Sequence, residues 1–437
     1  MGIFRYMKQD AMSNFLNFSD SIHNKYILCS KTSFGTYVLF NRTNGAIIEL
    51  LESEYESLCN GINVENHEMY QKIEESEIFN FKKVSLGKNI KSVYFTIEMS
   101  TICNLECTYC YQSNARNRPA LSENIEDSIY LYIEKICNIA KEKEEFIFGF
   151  IGGEPLLHKE KVFRIINRLT RITEKYGKRA CFSIDTNGTI DISEYIESVK
   201  RLSLSVSLTT KRDHNELRKS DTFDSFAKIV KNLKNYKQSP YFKVNIRYNT
   251  NHNNISEFES FVSFVKKELP IVTDIHASYT DNYEYNKQFY NKLTIQEFID
   301  WNSSIAIDIL IKHGFSIDWR LPSSLTMCYA YQPYSCKVLS DGSITLCDGM
   351  EYQRILTIEE LAKDPSLLEK RYPVKQYNPT NDDFCKNCYQ LVQCQGRVFC
   401  RNNKDVCNFQ RVYNEKIFLA KYVEFCHKGK QHLFVGM

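Results

Sequence analysis

Three cysteines crowd one short stretch of this chain, Cys103-Asn-Leu-Glu-Cys107-Thr-Tyr109-Cys110, directly after the apolar run Val93 to Ile97. Thiolates this close on one loop after a strand can face a common centre, whereas four-ligand zinc sites usually come as two CxxC or CxxH pairs. A cubane held by three cysteines leaves one iron without a protein ligand, a position open to a small molecule. A partial zinc site and buried apolar thiols are the alternatives that spacing alone leaves open. Eight more cysteines lie between 328 and 407, so eleven of the sixteen fall into two constellations.

The chain between and after these groups alternates two periodicities. Phe146 to Ile151, Cys181 to Ile184, Leu202 to Leu208 and Phe242 to Arg247 read as buried strands. Ile125, Ile129, Ile133, Ile136, Cys137 and Ala140 share one helical face, and Val162, Ile165, Ile166, Leu169 and Ile172 share another. Cys137 therefore reads as core. Strands alternating with helices argue a parallel sheet with helices outside, and the active site of a parallel barrel lies at the strand C-terminal ends. Those ends carry the cysteine loop, Gly152-Gly153-Glu154-Pro155, Thr186-Asn187-Gly188, Ser207 and Arg247. Glycines let backbone approach a ligand closely, and Glu154 offers an acceptor for an ammonium group.

The CxxxCxxC spacing, with aromatic Tyr109 before the last cysteine, followed by GGEP, resembles the radical S-adenosylmethionine (radical SAM) superfamily. The resemblance implies a partial (β/α)6 TIM-like barrel of α/β class. It implies a 4Fe-4S cluster on Cys103, Cys107 and Cys110, with SAM bound to the cluster by its amino and carboxylate groups. Reductive cleavage would give methionine and a 5'-deoxyadenosyl radical. Tyr109, Gly152, Gly153, Glu154, Pro155, Thr186 and Asn187 would line the SAM site. Ser207 and Arg218 stand in a segment similar to the family's S-[IL]-D-G-P...H-D-x-x-R, in which they would hold the SAM carboxylate. Thr209 and Thr210 replace the usual Asp-Gly there, one residue is missing, and Asn215 replaces Asp. An exposed arginine at a helix end is the other reading of Arg218.

The second constellation runs Cys328-x7-Cys336-x10-Cys347, then Cys385-x2-Cys388-x5-Cys394-x5-Cys400-x6-Cys407. Eight thiolates suffice for two closed cubanes; two zinc ions or four disulfides are the alternatives. The amino terminus lacks a secretory apolar region, which speaks against disulfides. With Gly342-Ser-Ile-Thr-Leu-Cys347-Asp348, the block resembles the SPASM extension of radical SAM enzymes. That resemblance implies two auxiliary 4Fe-4S clusters, the nearer on Cys328, Cys336, Cys347 and Cys400 and the outer on Cys385, Cys388, Cys394 and Cys407. Cys394 and Cys400 are separated by five residues where the family usually has three. Asp348 aligns with a proposed general base of sulfatase-maturating relatives; orienting its own loop is the other reading.

Lys25 to Ser30, Thr36 to Phe40 and Ala46 to Leu50 read as short strands, and Glu52 to Asn60 and His67 to Ser76 as helices. In this position they resemble the winged-helix-like RRE module of maturases acting on ribosomal peptides, which captures a leader peptide by strand addition. A packing extension of the barrel is the alternative. The expected organisation is an RRE-like module at 1–85, the barrel at 90–290, a helical bridge at 291–325 with a helix over Ile295 to His313, a SPASM domain at 326–410, and a C-terminal helix at 411–437.

Lys+Arg 56 against Asp+Glu 53 gives a formal charge of +3, too balanced to drive binding to nucleic acid or membrane. A cytoplasmic location suits oxygen-labile clusters. The expected activity is oxidative modification of a ribosomally synthesised precursor peptide, as an intramolecular carbon-carbon, thioether or related cross-link. A one-electron reductant such as flavodoxin or ferredoxin would serve it. A formylglycine-generating sulfatase maturase and a non-enzymatic multi-cluster electron-transfer protein are the alternatives.

Overall fold

The computed structural model describes residues 22–60, 67–82, 91–110, 112, 118–280, 291–319, 328–346, 354–372, 375, 378–382, 385–386, 388, 391 and 414–428. The first strands are β1 (Ile27–Lys31), β2 (Tyr37–Asn41) and β3 (Ile47–Leu50), antiparallel in the order β1-β2-β3. Asn41 closes the second turn. Its N–H donates to Ala46 O at 2.9 Å, and its side-chain oxygen accepts from Thr43 N at 2.8 Å. Helices α1 (Glu52–Cys59) and α2 (His67–Ser76) follow. Leu39, Ile48 and Leu50 pack with Leu58, Met69 and Ile73 on one face of this sheet.

The barrel region follows with β4 (Ser92–Glu98), the two-residue β5 (Glu106–Cys107), α3 (Glu123–Ile139), β6 (Glu145–Ile151), α4 (Lys159–Lys175), β7 (Arg179–Thr186) and β8 (Leu202–Ser207). Then come α5 (Lys211–Leu217), the two-residue β9 (Arg218–Lys219), α6 (Ser225–Asn235), β10 (Phe242–Thr250), α7 (Phe258–Glu268) and β11 (Val272–Tyr279). Strands β4, β6, β7, β8, β10 and β11 are parallel neighbours in chain order, as repeated βα units dictate.

Strand alternation separates two faces. Phe95, Phe148, Phe182, Leu204 and Ile246 point to the helices, each large side chain contributing about 1.5–3 kcal/mol by burial. Thr96, Gly149, Ser183, Ser205, Arg247 and Asn249 occupy the opposite face, which is polar and partly open. Helix α3 begins where the Ser122 side chain accepts from Ile125 N, with Glu123 and Glu126 in the first turn. Its buried face includes Ile125, Ile129, Tyr132, Ile133, Ile136 and Cys137.

Beyond the barrel, α8 (Ile295–Trp301) continues through a π turn, Asn302–Ala306, into α9 (Ile307–Lys312). The chain then forms β12 (Cys336–Val338), β13 (Ser343–Thr345), β14 (Leu356–Thr357), α10 (Ile358–Lys363), α11 (Leu367–Arg371) and α12 (Glu415–His427). Strand β12 pairs parallel with β4, and β13 and β14 continue antiparallel, so one mixed sheet of nine strands crosses the expected boundary at 326. Helix α12 covers the second face of the amino-terminal sheet. Phe418, Leu419, Tyr422 and Val423 pack with Leu28, Val38, Phe40 and Trp319, and Arg42 pairs with Glu415 at 2.7 Å. Among the described residues no helix is long and apolar enough to cross a membrane.

Candidate active site

The cysteine loop is fixed by backbone packing against the turn after β6. Gly153 N donates to Ser100 O at 3.0 Å and Glu154 N to Ile102 O at 2.9 Å. A Cβ on Gly152 would lie 2.2 Å from Ser100 O, and one on Gly153 would lie 2.3 Å from Ile102 O. Gly152 also has φ +147°, a conformation that L side chains rarely adopt. These glycines therefore serve the approach of two loops, a need distinct from the close ligand approach expected of them.

Glu154 is fully buried at the centre of this junction. One carboxylate oxygen accepts from the Thr186 hydroxyl at 2.7 Å and from Leu156 N at 3.0 Å; the other accepts from Asn187 N at 2.6 Å. A carboxylate has about four acceptor positions, so one remains for a ligand ammonium. Burial pushes the Glu154 carboxyl above its usual range, against the pull of these donors and of Arg218. Pro155 opens the 3-10 turn Pro155–His158 behind it. Asn187 also donates to Asn104 Oδ1 at 2.8 Å and reaches Cys103 Sγ at 3.8 Å, joining the turn after β7 to the cysteine loop.

Arg218 approaches the same loop from the other side. Strand β9 pairs antiparallel with β5, setting Arg218 opposite Cys107. The guanidinium donates from Nη1 to Tyr109 Oη at 3.2 Å, and Asn249 Nδ2 donates to the same oxygen at 3.1 Å. Arg218 is 5% exposed, so the reading of a solvated helix-end arginine does not hold. Its Nε and the Thr209 and Thr210 hydroxyls are buried without a hydrogen-bond partner among the described residues. Buried polar atoms left unpaired are costly, and a polar ligand would relieve that cost. Ser207 ends β8 in register with Arg247, whose Nε donates to Ser278 Oγ at 3.1 Å.

Glu98, Arg118 and Asn104 escaped the sequence reading. Glu98 is fully buried and accepts from Arg118 Nε and Nη2, both at 2.7 Å, and from the Ser340 hydroxyl at 3.2 Å. It ties the return of the cysteine loop to the β12–β13 hairpin. A carboxylate ending an otherwise apolar strand was the available signal.

The remaining candidates divide. Cys347, Asp348, Cys394, Cys400 and Cys407 lie outside the described residues. Cys328 precedes the turn Tyr329–Tyr331, and Cys385 and Cys388 share a turn in which Cys388 N donates to Cys385 O at 2.9 Å. Cys336 stands in β12, fully buried in the main core. No disulfide joins any of the twelve cysteines among the described residues. Three half-buried thiols on one loop, an acceptor for an ammonium and a buried guanidinium with a spare donor fit a thiolate-held cluster and an amino-acid-bearing ligand.

Residues 97–265 match the radical SAM superfamily. With those residues the chain carries the domain of a radical SAM enzyme, for which the family implies a 4Fe-4S cluster and SAM as cofactors. It is homologous to the anaerobic sulfatase-maturating enzymes. The cysteine-type enzyme of Clostridium novyi (strain NT) is 27% identical over 365 residues, covering 76% of this chain and 93% of that protein. The counterpart from Clostridium perfringens (strain 13 / Type A) is 24% identical over 350 residues, covering 75% and 93%. Among solved structures, anSMEcpe with bound AdoMet matches with TM-score 0.56 at 19% identity, over 78% of this chain and all of that one. Streptococcus suis SuiB bound to S-adenosylmethionine matches with TM-score 0.50 at 15% identity, over 85% and 93%.

Proposed function

We propose that this enzyme is a peptide maturase that oxidatively cross-links a side chain of a ribosomally synthesised precursor peptide. The observation carrying this reading is the amino-terminal sheet: among the described residues nothing pairs with the outer side of β3, and an unpaired edge can accept a peptide as an added strand. Residues 1–85 then serve as the leader-capturing module, 90–290 as the barrel, and 326–410 as the SPASM domain with two auxiliary clusters.

Cys103, Cys107 and Cys110 would hold the first cluster. Glu154 would accept from the SAM ammonium, flanked by Gly152, Gly153, Pro155, Thr186 and Asn187, while Arg218 and Ser207 would take its carboxylate. When bound, the first cluster supplies the electron that cleaves SAM, and the auxiliary pair supplies an acceptor for the electron the peptide loses. Asp348 would take the accompanying proton. A small flavodoxin or ferredoxin in the cytoplasm would deliver the reducing electrons.

Formylglycine formation on a sulfatase is the second reading, favoured by the 27% identity to the C. novyi enzyme. Mass spectrometry separates the two. Co-expression with a short peptide encoded beside the gene is expected to remove two hydrogens from that peptide. Conversion of a sulfatase cysteine to an aldehyde, with the peptide untouched, overturns the proposal.

A further inference from the structure

We propose that Arg247, with His276 beside it, holds a carboxylate side chain of the bound peptide close to the residue that is oxidised, and so selects peptides with Asp or Glu at that place. The inference rests on the reading that the substrate is a precursor peptide.

Strand order brings the two side chains together on the face of the sheet opposite the helices. Arg247 on β10 is in register with Ser207 on β8 and with His276 on β11, and register partners share a face. Both Arg247 and His276 are exposed there. Asn249, two residues or about 6.6 Å further along the same face of β10, donates to Tyr109 of the cysteine loop at 3.1 Å. The pair therefore stands one strand repeat away from the loop that would hold the first cluster.

The guanidinium is oriented but only partly used. Its Nε donates to Ser278 Oγ at 3.1 Å, which fixes the plane of the fork and leaves both terminal nitrogens without a hydrogen-bond partner among the described residues. Asp274, one repeat back on the same face of β11, forms no ion pair with it. Paired N–H donors on a fixed plane match a carboxylate, and the His276 ring adds a further donor. The neighbouring strands leave room for the side chain to be oxidised: Gly149 and Ser183 face the same side in register, and a Cβ on Gly149 would meet Ser183 Oγ and Thr96 Oγ1 at 3.5 Å, ordinary contact. From β7 to β10 is two strand spacings, about 9.6 Å, which about three residues of extended peptide cover. SAM is the other source of a carboxylate, and Arg218, buried beside the cysteine loop with a spare Nε, serves that one.

The test is a double-mutant cycle between enzyme and peptide, with the short peptide encoded beside the gene as probe. Arg247 is exposed, so Arg247→Gln leaves the core intact. The variant should bind the labelled peptide about tenfold more weakly by fluorescence anisotropy, with kcat/KM for loss of two hydrogens reduced at least as much. Changing to its amide an Asp or Glu within about three residues of the oxidised side chain should cost the parent enzyme a similar factor and cost Arg247→Gln nothing further. A modified peptide with no acidic residue in that window, or losses that simply add, overturns the inference. Equilibrium dialysis distinguishes the other carboxylate: a fall in SAM affinity equal to the fall in peptide affinity assigns the guanidinium to SAM and likewise overturns it. A peptide left unmodified by the parent enzyme instead rejects the precursor-peptide reading, and the inference falls with it.

Discussion

Cys107 and Arg218 stand opposite each other in a two-residue antiparallel ladder, with Glu106 opposite Lys219 and Thr108 N donating to Leu217 O at 2.9 Å. Backbone hydrogen bonds therefore carry the guanidinium to the cluster loop across three intervening strands. The side chain adds its own contact at Tyr109 and keeps Nε spare. Position and chemistry are separable here: the ladder survives any side chain at 218, whereas the ligand contact does not.

Arg218→Ala should accordingly retain about four irons on Cys103, Cys107 and Cys110 while weakening SAM. A charge-assisted hydrogen bond is worth about 1.5–3 kcal/mol, or roughly 10- to 150-fold in affinity. Equilibrium dialysis of reconstituted protein against SAM measures this directly. Unchanged affinity would show that Arg218 supports only Tyr109.

Gly152→Ala and Gly149→Ala form a matched pair. At 152 the new methyl meets Ser100 O at 2.2 Å in a backbone conformation hostile to alanine; at 149 it meets Ser183 Oγ and Thr96 Oγ1 at 3.5 Å, ordinary contact. Gly152→Ala should shift the cysteine loop and abolish formation of 5'-deoxyadenosine. Gly149→Ala should fold with the iron content of the parent. Equal iron and equal SAM cleavage in both would refute the loop-packing account.

The βα alternation and the cysteine loop were legible because both are local: period-2 and helical patterns, and three thiols within one turn of chain. Cys137 reads as core from its helical face, and it is fully buried. Strand β11 was not legible, since Asp274 and His276 interrupt its apolar run on the polar face. The Asn249–Tyr109 and Cys107–Arg218 meetings depend on strand order, which periodicity does not encode. Cys336 shows the same limit. Its spacing groups it with seven other cysteines, while its register on β4 groups it with Phe95 and Val338.

Glu154 gives the site a pH dependence of definite sign. Burial holds its folded pKa above the unfolded value of about 4.3. Its contribution to folding stability is thus full below the unfolded pKa and declines as pH rises to the raised one. SAM binding runs the other way, because the ammonium needs the carboxylate. Affinity measured across mildly acidic pH should fall on acidification through a midpoint above the usual carboxylate range. Glu154→Gln should bind SAM weakly and without that dependence. A parent profile as flat as the variant's would remove Glu154 from the ammonium site.

The β3 edge can be tested without deleting the module. Removing the first eighty residues would strip α12 and Trp319 of the sheet they pack against, and any lost peptide binding would then report general damage. A single edge residue is cleaner. Asn41 N bonds Ala46 O across the turn, so alternation assigns the β2-facing groups to Ile48 and Leu50 and turns the N–H of Ile47 and Glu49 outward. The Glu49 side chain pairs with His427 at 2.6 Å and accepts from the Thr36 hydroxyl, so Glu49→Ala is the necessary reference. Glu49→Pro removes the outward N–H in addition, without cutting a β2–β3 bond. If a leader adds to this edge, Glu49→Pro should bind leader-bearing peptide about tenfold more weakly than Glu49→Ala, the loss expected for one hydrogen bond of roughly 1.4 kcal/mol. Peptide-independent SAM cleavage should match in the two. Equal peptide affinity of the proline and alanine variants would place leader capture elsewhere on the enzyme.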